Sequence, residues 1–446
     1  MKRLLAMMLA LMLMTPAAAA LAEGFQECHR VEMTKKDTTQ SNKSVVRLWS
    51  ADTVLDSVDA ELADIAQNFV DTYAPELKAA ANKTSKNSRL DVGIRYSRTG
   101  LTWMSFLVQA RVTYHRDLVG QEIASRTYDM TTGQRIMLTD VFAQDSQGWD
   151  ILQSKVRETV EAYFPDEKAD ADVVDEVSSR AFLEEADFTF HGMSLVIHIP
   201  AEKLYAGRYS LIEVTLFYPE IRQYMTEKAQ IETDNLSYYK TCALTFDDGP
   251  ERTNTTKVLN ALMETGSVAT FFVVGNRIND FADLIQREHD EGHAIGSHNW
   301  THTDVRKQSA KTLRAMPEKV NERMIEAIGI PVRYNRVPYG LYNQMIKAKV
   351  GWPLIQWSVD TYDWRALSTS KVVSTVKKEL SDGDIILCHD VEDNTTESAR
   401  KISQTVAEMG YIMLTIDELM AKDGVVLQGD TVYYRCVDGK FSIKKR

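Results

Sequence analysis

The stretch that decides the fold is TCALTFDDGPER, residues 241–252. A run of mainly apolar residues leads to two adjacent carboxylates, Asp247 and Asp248, and then to Gly249-Pro250. Neighbouring side chains on a strand point to opposite faces, so a regular strand alone would separate the two acids. A turn at Gly249-Pro250 would instead allow both carboxylates to face one site. The stretch therefore predicts a buried strand that ends at a functional site.

Beyond Lys240 the sequence alternates short apolar strands with helical segments. Repeated β–α units of this kind predict a parallel sheet covered by helices. Seven such units predict an α/β fold in the form of a (β/α) barrel, either complete or with a unit missing. The predicted strands lie near 241–247, 268–274, 293–297, 332–337, 353–358, 384–389 and 411–415.

The preceding half has a mixed α+β pattern. Helical spacing is found in VLDSVDAELADIAQNFVDTY and GWDILQSKVRETVEAYF, whereas residues 101–141 alternate like strands around a turn at Thr132-Gly133. The later segment FTFHGMSLVIHIP reads as a second hairpin. These patterns predict a chain of five segments: a signal peptide over 1–22, a smaller α+β domain over 23–226, a linker over 227–239, a barrel over 240–422 and a β tail over 423–446.

The first 22 residues have the three parts of a secretory signal peptide. MKR is positively charged, LLAMMLALMLM is apolar, and the small-residue tail TPAAAALA ends in a cleavage site at Ala20-Leu21-Ala22. An uncleaved membrane anchor is the alternative, because residues 4–22 are just long enough to span a bilayer. No later stretch is long and apolar enough to cross a membrane, so export without a further span is predicted.

The composition narrows the classes of partner. The formal net charge is −11, without a basic stripe, which argues against nucleic acid. None of the four cysteines forms a CxxC pair, so a zinc–thiolate site is not expected. Cys28 and Cys436 could form a disulfide in an exported protein, whereas Cys242 and Cys388 fall on apolar strands and are expected as buried thiols.

Ionisable side chains follow five of the predicted strands. His298 and His302 are four residues apart, so on a helical turn they would share a face, which also fits an ordinary surface helix. Asp248 supplies a third ligand, and an Asp-His-His set with an open position is typical of a catalytic divalent-metal site. A second pair at the same spacing, His289 and His293, is predicted to be structural, because it lies at the opposite end of the strands.

The remaining strand-end residues predict acid–base chemistry. Asp247 would remain free of the metal and act as the general base, with Arg336 keeping it ionised. His389 ends an apolar strand and is a candidate general acid, with a carboxylate such as Asp363 raising its pKa and fixing its tautomer.

The ordered motifs TFDDGP, HNWTH, RVPYG, DTYDW and LCHD together resemble those of the polysaccharide deacetylases, carbohydrate esterase family four. The resemblance covers roughly 240–422 and implies a distorted (β/α) barrel of seven to eight units. It also implies a divalent metal held by Asp248, His298 and His302; zinc is the expected ion, and cobalt, manganese and nickel suit the same ligands.

The resemblance assigns further roles. Asp247 would be the base, steadied by Arg336, and Asp363 would orient His389, the acid that protonates the leaving amine. It also implies that the backbone N–H of Tyr339 helps to bind the oxyanion. The acetyl pocket would be lined by Trp364 and Leu387.

The first half resembles an extracellular domain that precedes the barrel in some peptidoglycan deacetylases and also occurs in lysozyme-sensing ectodomains. The expected function is therefore a secreted, cell-wall-associated bacterial N-deacetylase that releases acetate from N-acetylmuramic acid or N-acetylglucosamine in peptidoglycan. The first half would then contact the wall or a wall protein. One alternative is a deacetylase of chitin, chito-oligosaccharides or acetylxylan. The other is a wall- or lysozyme-binding protein whose barrel has no catalytic role.

Overall fold

The computed structural model describes residues 27–41, 43–83, 87–365, 367–437 and 440–441. The predicted signal peptide over 1–22 lies outside these ranges. Within them, no helix has both the length and the apolar character that a membrane crossing requires.

The described chain opens with a sheet of six strands and one long helix. The elements are β1 Glu32–Ser41, β2 Ser44–Asp52, α1 Asp56–Lys83, β3 Ser88–Thr99, β4 Trp103–Tyr114, β5 Asp117–Asp129 and β6 Gln134–Ile136. β2 and β3 pair in parallel because α1 crosses over between them, and the other neighbours in this sheet are antiparallel. Alternate residues of β3 and β4 pack with α1 in one buried core, so each strand turns its other face away from α1.

A second, three-stranded antiparallel sheet follows, and short helices surround it. Helix α3 packs on β9 through its apolar stripe, which includes the buried side chains of Trp149, Leu152, Val156 and Val160. The elements are α2 Leu138–Val141, α3 Gly148–Ala162, α4 Ala171–Val177, α5 Arg180–Glu184, β7 Phe188–Phe190, β8 Ser194–Pro200, β9 Leu211–Phe217 and α6 Tyr218–Ile221. The helical and hairpin patterns of this half are confirmed.

The segment 227–239, expected to be a linker, forms two short helices, α7 Glu227–Glu232 and α8 Asn235–Tyr238. It packs against the first sheet, because Glu232 accepts hydrogen bonds from the N–H groups of Leu101 and Thr102. The buried Asn235 side-chain carbonyl accepts from the N–H of Gly100 at 2.7 Å. Polar composition suggested exposure here, whereas these polar groups are buried and satisfied by partners far away in the sequence.

The second half is the predicted α/β barrel. Its elements are β10 Lys240–Asp247, α9 Asn254–Glu264, β11 Thr270–Val273, α10 Ala282–Asp290, β12 Ala294–Ser297, α11 Ala310–Ile328, α12 Gln344–Val350, β13 Leu354–Ile355, β14 Val359–Asp360, α13 Thr369–Glu379, β15 Asp384–His389, α14 Thr395–Glu408, β16 Tyr411–Met413, α15 Ile416–Ala421, β17 Val432–Tyr433, β18 Cys436–Val437 and β19 Lys440–Phe441. β10 reads as a nearly continuous apolar run because it lies at the centre of the parallel sheet and is buried over almost its whole length.

The barrel is distorted at one side. The parallel order β12-β11-β10-β15-β14 forms continuous ladders. The predicted strand near 332–337 is reduced to one bridging residue, Asn335, which pairs with Ser297 of β12 and with Leu354 of β13. These isolated bridges connect β12 to the 354–360 segment that contains β13 and β14, but no continuous ladder closes the sheet among the described residues.

The second sheet and the barrel share a hydrophobic core. One cluster of buried side chains joins residues of β7, β8 and β9 to residues at the interior and floor of the barrel, among them Phe272, Tyr334, Ile385, Leu414 and Tyr433. The outer barrel helices form a separate cluster with the other faces of the same strands. The two halves therefore bury apolar surface against each other.

The four cysteines, Cys28, Cys242, Cys388 and Cys436, are all buried, and no disulfide joins any two of them. The disulfide considered between Cys28 and Cys436 is therefore not formed. Cys28 Sγ contacts the carbonyl of Leu101, whereas Cys436 Sγ contacts Asp423, so the two thiols have different neighbours. Burial of the thiol raises the pKa of Cys28 to about 11, which disfavours the reactive thiolate.

We expect Glu418→Ala to lower the free energy of unfolding by about 2–3 kcal/mol, because buried donors would lose their acceptor. Glu418 is 4% exposed, and its Oε1 accepts from Met193 N–H and Ser194 Oγ, both at 3.0 Å, across the shared core. Denaturant unfolding measures the change. Glu322→Ala, at an exposed position in α11, is the control and should stay within about 0.5 kcal/mol of the wild type. Equal losses of unfolding free energy in the two variants would contradict a stabilising role of the Glu418 hydrogen bonds.

Candidate active site

The predicted site residues meet at the carboxyl ends of the parallel strands. Asp247 ends β10 and His389 ends β15, and the two residues are direct neighbours in the parallel ladder. Neighbouring strands lie about 4.8 Å apart, so the two side chains start from adjacent points of one sheet edge. Catalytic groups in (β/α) barrels collect at this edge.

The adjacent carboxylates of the opening motif face one site because the backbone leaves the strand between them. Asp247 still belongs to β10, whereas Asp248 adopts a φ of 77°, in the left-handed region that aspartate tolerates better than most residues. Gly249 follows because a Cβ there would collide with the carboxylate of Asp390. The interpretation that this turn lets both acids face one site is consistent with the geometry.

Asp248, His298 and His302 offer three ligand atoms to one point. Asp248 Oδ1 lies 3.2 Å from Nε2 of each histidine, and the three ligand atoms all lie within 4.8 Å of one another. His298 Nδ1 lies 2.8 Å from the carbonyl of Arg336 and donates to it, which leaves Nε2 with its lone pair. Asp248 Oδ1 is buried, and within the described part of the chain it accepts no hydrogen bond. A buried carboxylate oxygen beside two imidazole nitrogens fits a divalent cation such as zinc.

The electrostatics of Asp248 and His302 favour their unprotonated ligand forms. Burial acts to raise the pKa of Asp248, but the neighbouring His298, His302 and His389 outweigh it and lower that pKa to about 2. Burial lowers the pKa of His302. Both shifts favour the metal-binding forms, carboxylate and neutral imidazole.

The two histidines do not lie on a helical turn, which corrects the expectation from their spacing. Residues 298–304 form an irregular loop in which Asn299 has a φ of 62°. The N–H of Asn299 bonds to Ser297 Oγ at 3.1 Å and to Asn335 Oδ1 at 3.2 Å, so it is engaged outside any helix. The loop nevertheless brings the imidazole centroids of His298 and His302 to 5.2 Å.

Arg336 holds Asp247. Its guanidinium is fully buried, and Nη1 donates to Asp247 Oδ1 at 2.8 Å and to Thr245 Oγ1 at 2.7 Å. Nε and Nη2 donate to the carbonyls of Ile355 and Gln356. The guanidinium is therefore anchored on two strands and holds in place a carboxylate that is only 3% exposed.

Asp363 holds His389 by two contacts. His389 Nδ1 donates to Asp363 Oδ1 at 2.8 Å, and the His389 backbone N–H donates to Oδ2 at 2.7 Å. Burial acts to lower the pKa of His389, but the hydrogen bond and charge of Asp363, together with Asp247 and Asp248, raise it to about 9. The imidazole is therefore protonated at neutral pH, with Nε2 free to act as a donor.

The three predicted substrate-binding residues surround this centre in different ways. Tyr339 adopts a φ of 61°, is 58% exposed, and places its ring 4.5 Å from the imidazole of His302. Trp364 is half exposed, and its backbone N–H bonds to Asp363 Oδ1. Leu387 is buried on β15, two residues before His389, so the two side chains point to the same side of the strand.

The sequence analysis did not identify four residues that lie next to the candidate site residues or the histidine loop. Thr245 contacts Arg336, and Thr395 donates to Asp363 Oδ2 at 3.2 Å. Asn335 Nδ2 donates a hydrogen bond to Asn299 Oδ1 at 2.8 Å and so fixes the loop that carries the two histidines. Asp390 is buried against Thr255, and burial raises its pKa to about 7. Only Asp390 had a local signal, a second acid directly after the strand-end histidine; the other three act over long separations in sequence.

The second histidine pair lies apart from this centre. His289 Nε2 lies 2.8 Å from the hydroxyl of Tyr163, and His293 Nδ1 accepts from the N–H of Ala269 at 3.3 Å. Both histidines are buried. Each is thus engaged with the protein itself, in line with the structural role that was predicted.

At its strand ends this α/β barrel brings together three side chains that could hold a metal ion, a carboxylate and an imidazole, an arrangement that suits a hydrolase. Comparison with known proteins narrows this class. The polysaccharide deacetylase family model matches residues 237–351. A peptidoglycan-N-acetylglucosamine deacetylase of Listeria monocytogenes, PgdA, is 34% identical over 220 residues, 49% of this chain and 47% of the relative.

Two further relatives have different substrates in their names. A peptidoglycan-N-acetylmuramic acid deacetylase of Bacillus subtilis, PdaC, is 29% identical over 180 residues, 40% of this chain and 38% of the relative. A chitooligosaccharide deacetylase of Bradyrhizobium is 33% identical over 186 residues, 38% of this chain and 81% of the relative. The chain belongs to the polysaccharide deacetylase family. It spans half or less of the length of the two peptidoglycan deacetylases.

We expect the wild-type protein to bind one Co²⁺ per chain and His302→Gln to weaken binding by about 100-fold or more, because one of three ligands is removed. Titration followed by the visible absorption of Co²⁺ measures the affinity. Asp360→Asn is the matched control: Asp360 also follows a strand, but its carboxylate accepts the N–H of Tyr362 at 3.0 Å and lies outside the three-ligand group. Equal affinities in wild type and His302→Gln would exclude the triad as the ligand set.

Proposed function

We propose that this chain is a metal-dependent N-deacetylase that removes acetyl groups from the N-acetylated amino sugars of cell-wall peptidoglycan. The observation that carries the proposal is that three groups of side chains lie together at one edge of the sheet. The Asp248–His298–His302 group lies beside Asp247, which is held by Arg336, and His389, which is held by Asp363. An amide hydrolase needs these three parts: an electrophilic centre, a base and an acid.

Asp248, His298 and His302 would hold the ion through one carboxylate oxygen and two Nε2 atoms. When bound there, a divalent ion supplies Lewis acidity toward a carbonyl oxygen and toward water. Zinc is the ion we propose, and cobalt, manganese and nickel suit the same donors. The lowered pKa values of Asp248 and His302 would favour the forms of these two residues that bind a metal ion.

Asp247 would take the proton of the attacking water. Arg336 occupies Asp247 Oδ1, which leaves Oδ2 as the basic atom. The new C–O bond forms at the acetamide carbonyl, and the backbone N–H of Tyr339 would donate to the developing oxyanion. His389 Nε2 would then give its proton to the nitrogen as the C–N bond breaks, so that acetate and a free amine leave.

The other predicted residues would position the acetyl group. Leu387 lies on the same side of β15 as His389 and would contact the acetyl methyl, with Trp364 at the exposed rim. Asp363 acts through His389, whose tautomer and charge it fixes.

Peptidoglycan is the proposed substrate because two of the relatives are named as peptidoglycan deacetylases. One name specifies N-acetylglucosamine and the other N-acetylmuramic acid. A chito-oligosaccharide is the second candidate, because the chitooligosaccharide deacetylase is matched over most of its length. The proposed setting is the bacterial cell wall after export. Mass analysis of digested, enzyme-treated peptidoglycan would locate the free amine on one sugar or the other.

We expect purified protein to release acetate from peptidoglycan and Asp247→Asn to reduce turnover by about 10²–10⁴-fold, because the base is lost while its shape is kept. Metal content, measured in parallel, should stay that of the wild type. Asp360→Asn again serves as the control and should retain activity. Unchanged acetate release after complete chelation would refute the role of the metal, and an active Asp247→Asn would refute the role of the base.

We expect kcat to fall as the pH rises above about 9, because His389 must be protonated and its pKa is raised to about 9. Asp363→Asn removes the carboxylate that stabilises the imidazolium, so the alkaline limb should move to lower pH. A pH profile of kcat for both proteins measures the shift. An alkaline limb that stays in place would show that His389 is not the titrating acid.

A further inference from the structure

Asp248 has an unfavourable backbone conformation at the candidate metal site. Its φ of 77° lies in the left-handed region, which costs free energy for most residues other than glycine. Such a conformation persists only where the surrounding structure holds it. The contacts that hold the turn after Asp248 therefore also set where its carboxylate points, which is toward Nε2 of His298 and of His302.

One buried carboxylate lies against this turn from the neighbouring strand. Asp390 directly follows His389 at the end of β15 and is 1% exposed. Its N–H donates to the carbonyl of Asp247 at 3.3 Å, and its carboxylate occupies the space in which a Cβ on Gly249 would lie. Asp390 is therefore in contact with the turn and limits where the backbone of Gly249 can move.

A hydroxyl connects the same carboxylate to the helix that follows the turn. Thr255, in the first turn of α9, donates its hydroxyl proton to Asp390 Oδ2. The same Thr255 oxygen accepts the N–H of Glu251 at 2.8 Å. Two consecutive hydrogen bonds thus run from the Glu251 backbone, three residues after Asp248, to the Asp390 carboxylate. Thr255 and Asp390 are both buried, so bulk water does not compete for the bond between them.

Further hydrogen bonds fix the segments on which this pair acts. The N–H of Val274, after β11, donates to the carbonyl of Gly249 at 2.9 Å. Asn254 Nδ2 donates to the carbonyl of Val391 at 3.0 Å. The turn, the start of α9 and the residues after β15 therefore form one hydrogen-bonded unit, in which Asp390 contacts both the turn and the helix.

We propose that Asp390 is a positioning residue for the metal-ligating carboxylate of Asp248. Through Gly249 and Thr255 it would hold the turn in the conformation that aims Asp248 Oδ1 at the two imidazoles. Removing a residue that orients a metal ligand typically lowers metal affinity by about 10–100-fold. The inference rests on the proposed function, because it takes the three-ligand group to hold a divalent ion. Since Asp390 also follows His389, one residue would link the strand end of the proposed acid to the proposed metal site.

The test measures the affinity for Co²⁺ and the visible absorption spectrum of bound Co²⁺, on the full-length protein without substrate. We expect Asp390→Ala to weaken Co²⁺ binding by about 10-fold or more and to change the spectrum, because the turn loses this support. Asp390→Asn keeps the volume and an acceptor oxygen for Thr255, so its affinity should stay within about threefold of the wild type. Thr255→Val removes the hydroxyl between Asp390 and Glu251 and should also weaken binding.

Asp384→Ala is the matched control for a general loss of stability. Asp384 lies at the opposite end of β15, is also 1% exposed, and accepts hydrogen bonds from Ser381 N–H at 2.7 Å and Ser358 Oγ at 2.8 Å. Its replacement should lower the denaturant midpoint of unfolding, as Asp390→Ala should. The Co²⁺ affinity and spectrum of Asp384→Ala should nevertheless remain those of the wild type.

An Asp390→Ala protein that binds Co²⁺ as tightly as the wild type would overturn the proposal, and so would an equal loss of affinity in Asp384→Ala. If Asp390→Ala does not fold, Thr255→Val decides, and wild-type Co²⁺ affinity in that variant would overturn the proposal. Weaker Co²⁺ binding by Asp390→Ala, together with a wild type that binds Co²⁺ but releases acetate from no glycan, would instead overturn the proposed function and leave the positioning role intact.

Discussion

One buried guanidinium connects the parts of the barrel that the regular ladders do not. Arg336 follows Asn335, where the ring of strands is reduced to single bridges. Its side chain donates to two carbonyls of the 354–360 segment and to Thr245 and Asp247 of β10, while its own carbonyl fixes the tautomer of His298. A buried charge is tolerated only when it is paired and hydrogen-bonded, and here the bonds with Asp247 and His298 also orient groups at the candidate site. The link between β10 and the 354–360 segment and the orientation of these groups therefore depend on the same residue.

The sequence predicted those candidate site residues that stand in short local motifs. It was less informative about residues whose positions depend on contacts far away in the sequence. Two acids after an apolar strand, and a histidine at the end of another, are visible in single motifs, so Asp247, Asp248 and His389 were found directly. The helical turn expected for His298 and His302 was wrong, because the Asn299 N–H is engaged by Ser297 and Asn335. The expected linker is packed, because Asn235 bonds to Gly100, a residue 135 positions away. Partners at such separations leave no trace in local hydrophobic periodicity.

The alternating apolar and polar residues of the first sheet give it two different faces. The apolar set of β3 and β4 builds a core with α1, and the polar set faces the helices of the barrel rather than bulk solvent. Most of the arginines on that polar face are paired with carboxylates, so the charges of the strands and of the barrel helices are largely balanced within the protein.

The core shared by β7–β9 and the barrel floor sets where this protein can be divided. A cut near residue 240 follows the change in sequence rhythm but splits one apolar cluster between two fragments. During synthesis the amino-terminal half emerges first, and its second sheet must wait with an apolar surface uncovered until the barrel strands arrive. Exchange of the catalytic part between homologues would meet the same constraint. A barrel cut out at its first strand would therefore expose the floor residues that β7–β9 cover in this protein.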